Sequence, residues 1–475
     1  MEEIIGRRAQ IAQFEAALAS TKSEFIAVTG RRRIGKTFLI KTFFKEDICF
    51  HFTGIQNQAL KVQLLAFTQE LSYRSNTMIT PPDNWLTAFS LLRDYVETVK
   101  TSRKKVVFLD ELTWIDTKKS GFLQIFAHFW NSWAAWEGNI ILVIAGSSTS
   151  WIVKKVYGDP GGLHNRVTKR IWLKPFTLAE TEAFLKSKNS VLTRYDMALI
   201  YMAFGGVPFY LDAINNDESA AQCIERLCFS EGGLLRNEFE NLYTAIFQKP
   251  DAHLRVVNVL AKHAYGLERN ELLQKANMSN SGGSTKVLED LETTGYIEYV
   301  VPYGKNSNLG KYVLSDFYSR FYLSFINNPK ISTWMAHSNS PVYKIWCGLA
   351  FEWLCYMHRK EIVRALGLGG IQTSVSYLNI KDDAGKIAAQ IDLLIDRADN
   401  AINLCELKFS NNIYSLTKDE AEGMRKKVFH LQKLLKKNQS VFPTMITTFG
   451  CEKNMHFLGQ ITHQLDLNAL FKVED

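Results

Sequence analysis

Apolar and polar segments alternate along the first third of the chain. Short apolar runs at residues 25–29, 106–109 and 140–145 are bounded by polar or turn-forming residues, which is typical of buried strands. Apolar residues have helical spacing in the segment that ends at residue 44 and in residues 121–136. Because buried strands that alternate with helices need crossover connections, this pattern predicts a parallel sheet covered by helices on both faces.

The pattern changes after this region. Residues 166–248 have mostly helical spacing, and residues 249–325 contain three helical segments followed by two strand-like runs around the polar turn GKNSN. Residues 326–475 are rich in aromatic side chains and have helix, strand, strand and helix in that order. We therefore predict four domains: a core at 1–165, a helical lid at 166–248, a winged helix at 249–325 and a terminal α/β domain at 326–475.

Two roles stay open for the predicted winged helix. It binds DNA, or it serves as a rigid linker or regulatory element. Its third helix, STKVLEDLETTG, carries several acids and few bases, so its charge does not decide between the two roles.

Composition restricts the class of protein. The chain has 475 residues, of which 46% are hydrophobic and 22% charged, as in a protein with packed cores. No apolar stretch reaches the length of a membrane span, and the start MEEIIGRRAQ lacks the apolar core of a signal peptide, so we expect a cytoplasmic protein without a membrane partner. Seven scattered cysteines without a C-x-x-C pair indicate neither a disulfide framework nor a zinc site. A net charge of +8 permits nucleic-acid binding without indicating it.

Residues 30–37, GRRRIGKT, satisfy the pattern of a phosphate-binding loop and directly follow an apolar strand. Both glycines are needed because the backbone must curl tightly enough to aim its N–H groups at nucleotide phosphates. Lys36 would supply charge to the β- and γ-phosphates, and the Thr37 hydroxyl, at the start of a helix, is the expected Mg²⁺ ligand. The sequence thus predicts ATP and Mg²⁺ as cofactors. The predicted nucleotide-binding residues of the loop are Gly30, Arg31, Arg32, Arg33, Ile34, Gly35, Lys36, Thr37 and Phe38.

Two further strand ends supply candidate partners for the loop. Residues 106–111, VVFLDE, end in two acids, of which Asp110 would hold the Mg²⁺ hydration shell and Glu111 would polarise the attacking water. The strand ILVIAG is followed by Ser147, whose hydroxyl would sense the γ-phosphate. A turn-capping role for Ser147 is equally compatible with the sequence, since many buried strands end in serine.

Several motifs together resemble one family. GRRAQ, GRRRIGKT, VVFLDE, IAGSS, LHNRVTKRIWLKPFTLAE and FGGVPFYL are similar to motifs of the archaeal-type ATPases in the STAND branch of AAA+ proteins, over residues 1–325. The resemblance implies that Gly6 and Arg7 lie near the adenine, that Arg166 is an arginine finger or sensor, and that Pro208 belongs to the helical lid at the nucleotide. From residue chemistry alone, Arg166 in the basic run NRVTKR is more typical of a solvated charge.

The terminal domain contains a second constellation. Asp392 lies within an apolar run, the turn RADN follows, and Glu406 and Lys408 lie in the next apolar run. Two adjacent strands would place both carboxylates beside one Mg²⁺, with Lys408 on the same strand face as Glu406. A bound ion would activate water and neutralise a scissile phosphate. An E-x-K sequence on an exposed strand is also a common solvated pair.

This constellation resembles that of the PD-(D/E)xK nucleases, which have a restriction-endonuclease-like fold. IDLL matches the first element and ELK the second, and Glu352 in FEWLCYM matches the acidic helix residue that such folds often carry. The sequence departs from the pattern because Gln390 and Ile391, without a proline, precede Asp392. The resemblance implies metal ligation by Glu352, Asp392 and Glu406 and catalysis by Glu406 and Lys408.

The helix EGMRKKVFHLQKLLKK follows, and Lys426, Lys433 and Lys437 would lie on one face of it. That face would track a phosphate backbone. Composition alone favours a covering helix with solvated lysines.

The expected fold class is α/β: a P-loop NTPase parallel sheet with a helical lid, a winged helix and a restriction-endonuclease-like C-terminal domain. We interpret the chain as an ATPase whose nucleotide state regulates a nuclease-like domain acting on DNA or RNA, with DNA favoured. The alternative is an ATP-dependent scaffold or DNA-binding regulator whose nuclease fold is inactive. Self-association or a protein partner stays open, and the second acidic centre disfavours a small-molecule kinase.

Overall fold

The computed structural model describes residues 3–101, 103–158, 161–247, 249–381 and 387–472. They group into two units, of which the first contains Met1–Lys174 with two short later segments and the second contains most of the chain after Lys174. The predicted termini and the predicted boundary at residue 248 lie outside the described residues. In the part of the chain that is described, no helix is long and apolar enough to cross a membrane.

A five-stranded parallel sheet organises the first unit. Its strands, in chain order, are β1 (Glu24–Thr29), β2 (Ile48–Thr53), β3 (Lys105–Asp110), β4 (Ile140–Gly146) and β5 (Lys169–Trp172), and their order across the sheet is β2-β3-β4-β1-β5. The helices are α1 (Arg8–Ala19), α2 (Lys36–Phe43), α3 (Leu60–Ser75), α4 (Trp85–Thr98), α5 (Leu112–Ile115), α6 (Phe122–Phe129) and α7 (Thr149–Ile152). Two π-helical turns, Trp130–Ala134 and Val153–Tyr157, extend α6 and α7.

Both faces of this sheet are buried, because alternate side chains of each central strand point to opposite sides. On β1, Ile26 and Val28 belong to one apolar core with residues of α1 and α2. Phe25 and Ala27 belong to the other core, with residues of α3, α4 and α6. The predicted parallel sheet with helices on both faces is confirmed.

The two outer strands were not predicted, and β5 lies beyond the predicted core boundary at residue 165. An edge strand has a neighbour on one side only, so it tolerates polar side chains that hide its strand character. In β5, Arg170 and Trp172 are exposed and Ile171 between them is buried. The sheet therefore requires the core to extend past residue 165, and the first unit runs to Lys174.

The chain after Lys174 begins with helices. They are α8 (Leu178–Ser187), α9 (Arg194–Phe204), α10 (Pro208–Asp212), α11 (Ala220–Ile224), α12 (Glu238–Ile246), α13 (Asp251–Ala261), α14 (Arg269–Lys275) and α15 (Gly282–Thr293). Strands β6 (Ile297–Val300) and β7 (Lys311–Leu314) then pair as an antiparallel hairpin. The order of α13, α14, α15 and the hairpin is the order that the sequence predicted for residues 249–325, and the identity of this segment as a winged helix stays a prediction.

A second five-stranded sheet lies near the C-terminus. The elements are α16 (Phe317–Phe321), α17 (Trp334–His337), α18 (Pro341–Met357), α19 (Arg359–Ala365), β8 (Thr373–Lys381), β9 (Ile387–Arg397), β10 (Ala401–Lys408), α20 (Lys418–Gln432), β11 (Ser440–Thr447), α21 (Met455–Leu458) and β12 (His463–Leu465). The sheet order is β12-β11-β10-β9-β8, with β8, β9 and β10 antiparallel and β10, β11 and β12 parallel.

The predicted helix, strand, strand and helix correspond to α18, β9, β10 and α20. The hairpin turn between β9 and β10 contains Asn400 with a φ of 59°, as expected for an asparagine in a tight turn. The last predicted helix was too long, since α20 ends at Gln432. Lys433 and Lys437 therefore lie beyond the helix, and the predicted basic face of three lysines at helical spacing is wrong.

A buried histidine caps α8 within the second unit. The backbone N–H of Leu178 donates to His358 Nε2 over 3.0 Å, and Nδ1 lies 2.9 Å from the carbonyl oxygen of Leu354. Because Nε2 accepts, Nδ1 carries the proton and the ring is neutral. Burial lowers the pKa of His358 from 6.5 to about 4, since the charged ring is excluded from water.

We expect His358 to make the second unit less stable in acid. The unfolded chain protonates this ring near pH 6.5 and the folded chain only near pH 4, so the free energy of unfolding should rise with pH across that window. The rise should be up to about 3 kcal/mol. His358→Gln, which keeps an acceptor for Leu178, should remove it in urea unfolding at pH 4.5 and 7. The exposed His164→Gln is the matched control, and an unchanged slope in His358→Gln would contradict the assignment.

Candidate functional site

The phosphate-loop motif lies between β1 and α2, at the carboxyl edge of the parallel sheet. Gly30 has a φ of 142°, and a Cβ on it would stand 2.4 Å from the Leu173 carbonyl oxygen. Gly35 has a φ of 86° and precedes the first turn of α2. Both positions therefore need glycine, Gly30 for space and backbone angle and Gly35 for backbone angle alone.

Lys36 is buried inside the loop. Its Nζ donates to the carbonyl oxygens of Gly30 and Arg31, each over 2.9 Å, and to Ser147 Oγ over 3.1 Å. Burial lowers the pKa of Lys36, against the opposing effect of Glu111 and Asp110. The ammonium group is thus held by neutral oxygens in a place where a phosphate would be a stronger partner.

Two acids lie at the end of β3, near the phosphate loop: Asp110 is the last residue of the strand, and Glu111 follows it. Thr37 Oγ1 donates to Asp110 Oδ2 over 2.6 Å, and Ser147 Oγ donates to Glu111 Oε1 over 2.7 Å. Burial raises the pKa of Asp110, and its hydrogen bond from Thr37 opposes the rise. A hydroxyl and a carboxylate in contact are oxygen donors of the kind that Mg²⁺ prefers, so the residues present fit a hydrated Mg²⁺.

The remaining residues predicted for the loop differ in exposure. Arg31 and Ile34 are buried, Arg32 and Arg33 are half-buried, and Phe38 is exposed. Arg33 also has a positive φ of 69°. Nucleotide contact by these side chains stays a prediction.

Four residues were assigned from the family resemblance, and one of them, Arg7, contacts the phosphate loop. Arg7 is buried, and its guanidinium donates to the carbonyl oxygens of Lys174 and Ile34 over 2.7 and 3.3 Å, so it ties the start of α1, next to Gly6, to the phosphate loop. Arg166 is exposed in the turn before β5. Pro208 begins α10 in the second unit. Roles of Gly6 and Arg7 at the adenine, of Arg166 as a finger and of Pro208 at the nucleotide stay predictions.

In the second unit, Asp392 and Glu406 lie on adjacent antiparallel strands, β9 and β10. The backbone N–H of Leu407 is 3.5 Å from Asp392 Oδ2. Glu406 Oε1 is 3.1 Å from Lys408 Nζ, and Glu406 Oε2 is 2.5 Å from Lys427 Nζ. The sequence predicted this meeting of two strand carboxylates and Lys408.

Glu352, on α18, shares the electrostatic environment of these two carboxylates. Burial and the neighbouring charges of Asp392 and Glu406 raise the pKa of Glu352 to about 8. Burial and Glu406 raise the pKa of Asp392 to about 6. Carboxylates crowded in a place with little water retain protons or attract cations. The donor set fits a hard divalent cation such as Mg²⁺.

The side chains of this acidic centre are nevertheless not arranged as a preformed metal-binding site. Within the described ranges, no three His, Cys, Asp or Glu side chains are placed together to hold a metal ion. Both carboxylate oxygens of Glu406 contact lysine ammonium groups. Metal binding would therefore require side chains to rearrange.

The sequence missed two residues at this centre. Lys427 lies on α20 three residues after buried Met424 and four before buried Leu431, a spacing that places it on the inward face of the helix. That spacing could have identified Lys427 from the sequence. Tyr265, in the turn between α13 and α14, lies within electrostatic range of the carboxylates. Local sequence carries no signal for Tyr265.

Comparisons with known proteins concern mainly the first part of the chain. Residues 5–214 match the model of a family described as an ATPase domain predominantly from Archaea. The uncharacterized protein MJECL04 of Methanocaldococcus jannaschii is 23% identical over 333 residues, which cover 68% of each chain. The residues that match this family contain the phosphate-loop motif and the five-stranded parallel sheet of the first unit.

Two solved structures are similar to this chain at low sequence identity. The Walker-type ATPase PABY2304 of Pyrococcus abyssi has a TM-score of 0.51 and 16% identity, covering 67% of this chain and 96% of its own. The ORC2 protein of Aeropyrum pernix, solved with ADPNP and ADP, has a TM-score of 0.44 and 14% identity, covering 71% and 96%.

We expect Ser147 to position Glu111. Ser147→Ala removes the hydroxyl that contacts Glu111 and Lys36, so the rate of ATP hydrolysis should fall about tenfold while ATP affinity changes less than about threefold. A coupled phosphate-release assay and nucleotide titration would measure both. Ser148→Ala is the matched control, and equal losses in the two variants would argue against a role specific to Ser147.

We expect Glu352 to destabilise the metal-free protein in base. The folded chain retains the Glu352 proton up to about pH 8 and the unfolded chain releases it near 4.5, so the free energy of unfolding should fall as pH rises through this window. Glu352→Gln should remove this fall, of a few kcal/mol. Urea unfolding at pH 5 and 8.5 in EDTA measures it, with the exposed Glu452→Gln as control. A slope unchanged by Glu352→Gln would contradict the assignment.

Proposed function

We propose that this chain is an ATP-driven switch whose nucleotide state controls a metal-dependent nuclease-like centre acting on DNA or RNA. The observation that carries the proposal is the presence, in one chain, of a P-loop ATPase domain and a separate acidic centre with lysines. The first provides a site for nucleotide, and the second has the donors required for phosphodiester hydrolysis.

In the ATPase domain, each residue has a separate task. Lys36 would exchange its loop carbonyl partners for the β- and γ-phosphates. Thr37 and Asp110 would hold Mg²⁺, which neutralises phosphate charge when bound. Glu111 would orient and polarise the attacking water, and Ser147 would keep Glu111 in place. The contacts among these residues support the assignment.

In the second unit, Glu352, Asp392 and Glu406 would hold a divalent cation, which supplies activated water and charge neutralisation at the scissile phosphate when bound. Lys408 would stabilise the negative charge that develops on the phosphate. Its 3.1 Å contact with Glu406 supports the placement of Lys408 at this centre.

The proposed partner is nucleic acid, DNA in preference to RNA. A net charge of +8 is compatible with contact to a polyanion, and the support for this partner is the acidic centre with its lysines. The predicted winged helix would either bind DNA or transmit the nucleotide state to the acidic centre.

The alternative is an ATP-dependent scaffold or DNA-binding regulator with an inactive nuclease fold. Its specific support is that both oxygens of Glu406 are paired with lysines. In this alternative, the ion pairs of Glu406 with the two lysines would have a purely structural role.

A cleavage assay separates the two functions. Linear, nicked and single-stranded DNA and RNA are incubated with Mg²⁺ or Mn²⁺, with and without ATP. We expect cleavage that depends on the divalent ion, falls at least about a hundredfold in Asp392→Ala and loses its response to ATP in Lys36→Ala. Asp396→Ala, on the same strand, is the matched control for Asp392.

Two results would reject the switch. Cleavage that survives Asp392→Ala would place the activity elsewhere, and an ATP response that survives Lys36→Ala would uncouple the two sites. ATP binding without any cleavage would favour the scaffold.

A further inference from the structure

Lys427 is a charged residue in an unusual place for a covering helix. It lies near the middle of α20, its side chain is 20% exposed, and its Nζ is 2.5 Å from Glu406 Oε2. The adjacent Lys426 is exposed to solvent. Burying an ammonium group is costly unless an anion compensates it, so the position of Lys427 depends on Glu406.

The two lysines at Glu406 are held differently. Lys408 lies on the same strand as Glu406 and has a second acidic neighbour, Glu420, at 4.0 Å. Glu420 is itself fixed at the start of α20, where it completes a capping box with Thr417. Lys427 reaches Glu406 from the helix through a long, flexible stem. Among the described ion pairs, Lys408 therefore has two acidic partners, whereas Lys427 has Glu406.

We propose that Lys427 is a placeholder cation, which occupies a metal-binding oxygen of Glu406, withdraws when a divalent cation binds, and then contacts a phosphate of the nucleic acid. This inference rests on the proposed nuclease-like function and assigns a new residue to it. An ammonium group and a divalent cation compete for one oxygen, because two cations a few ångströms apart repel each other strongly where water is scarce.

In this proposal, Lys427 couples the binding of metal to the binding of nucleic acid. Without nucleic acid, metal binding must break the contact between Lys427 and Glu406, which weakens metal affinity. With nucleic acid, the displaced ammonium gains a phosphate, so each ligand strengthens binding of the other by the same factor. The centre thus accepts metal efficiently only when substrate is present.

The test measures Mn²⁺ binding by calorimetry and electron paramagnetic resonance on the full chain. Lys427→Met keeps the length of the stem and removes the charge, so Mn²⁺ should bind about tenfold more tightly than to wild type. Lys426→Met is the matched control and should bind as wild type does. Lys427→Arg, which restores the charge, should return the affinity toward that of wild type.

A second titration adds a phosphorothioate single-stranded DNA oligonucleotide that resists cleavage. In wild type it should tighten Mn²⁺ binding about tenfold, and in Lys427→Met this coupling should disappear. Urea unfolding of each variant shows whether the fold is retained, and the comparison between Lys427→Met and Lys427→Arg isolates charge from packing.

The outcomes separate the two levels of the proposal. If Mn²⁺ binds neither wild type nor Lys427→Met, or if binding survives Asp392→Ala with Glu406→Ala, the proposed metal centre is wrong. If Mn²⁺ binds through those carboxylates and Lys427→Met has no greater affinity than Lys426→Met, the metal centre stands and the placeholder is overturned. Tighter binding by Lys427→Met supports both.

Discussion

A buried ammonium group needs oxygen atoms around it, and both candidate sites are arranged by this requirement. In the ATPase domain, two loop carbonyls and Ser147 surround Lys36. In the second unit, Glu406 holds Lys427. In each site the lysine contacts oxygen atoms that a bound ligand would replace. The chemistry proposed for both sites therefore begins with an exchange of partners by a lysine.

The two sites differ in the kind of oxygen atom that contacts the lysine. Lys36 rests on neutral oxygens, which a phosphate replaces with a stronger, charged contact. Lys427 rests on a carboxylate, which a phosphate replaces with a similar contact. Binding at the phosphate loop is therefore favoured by the pairing itself, whereas in our proposal the release of Lys427 is favoured most when metal and nucleic acid bind together. With this difference, the phosphate loop would bind nucleotide readily, whereas the acidic centre would bind metal tightly only together with its substrate.

Backbone geometry fixes the first site more firmly than the second. Gly30 leaves no space for a Cβ beside Leu173, and Gly35 has a left-handed backbone angle, so this loop conformation requires glycine at both positions. The acidic centre instead depends on side chains from α18, β9, β10 and α20. Burial, together with the repulsion between its carboxylates, raises the pKa values of Glu352 and Asp392. The second site can thus rearrange through side chains while its strands stay paired.

The sequence alone determined the central strands and the phosphate loop, because a buried parallel strand and a glycine-bounded turn are specified by neighbouring residues. It also predicted that the strands carrying Asp392 and Glu406 pair with each other, since a hairpin turn of local sequence brings them together. Only the tertiary structure revealed the edge strand β5, which carries the exposed Arg170 and depends on β1 for its pairing. Only the tertiary structure placed Arg7 on the phosphate loop and Lys427 on Glu406. Such contacts join residues far apart in the chain, and long-range packing, not local pattern, decides which side chains meet.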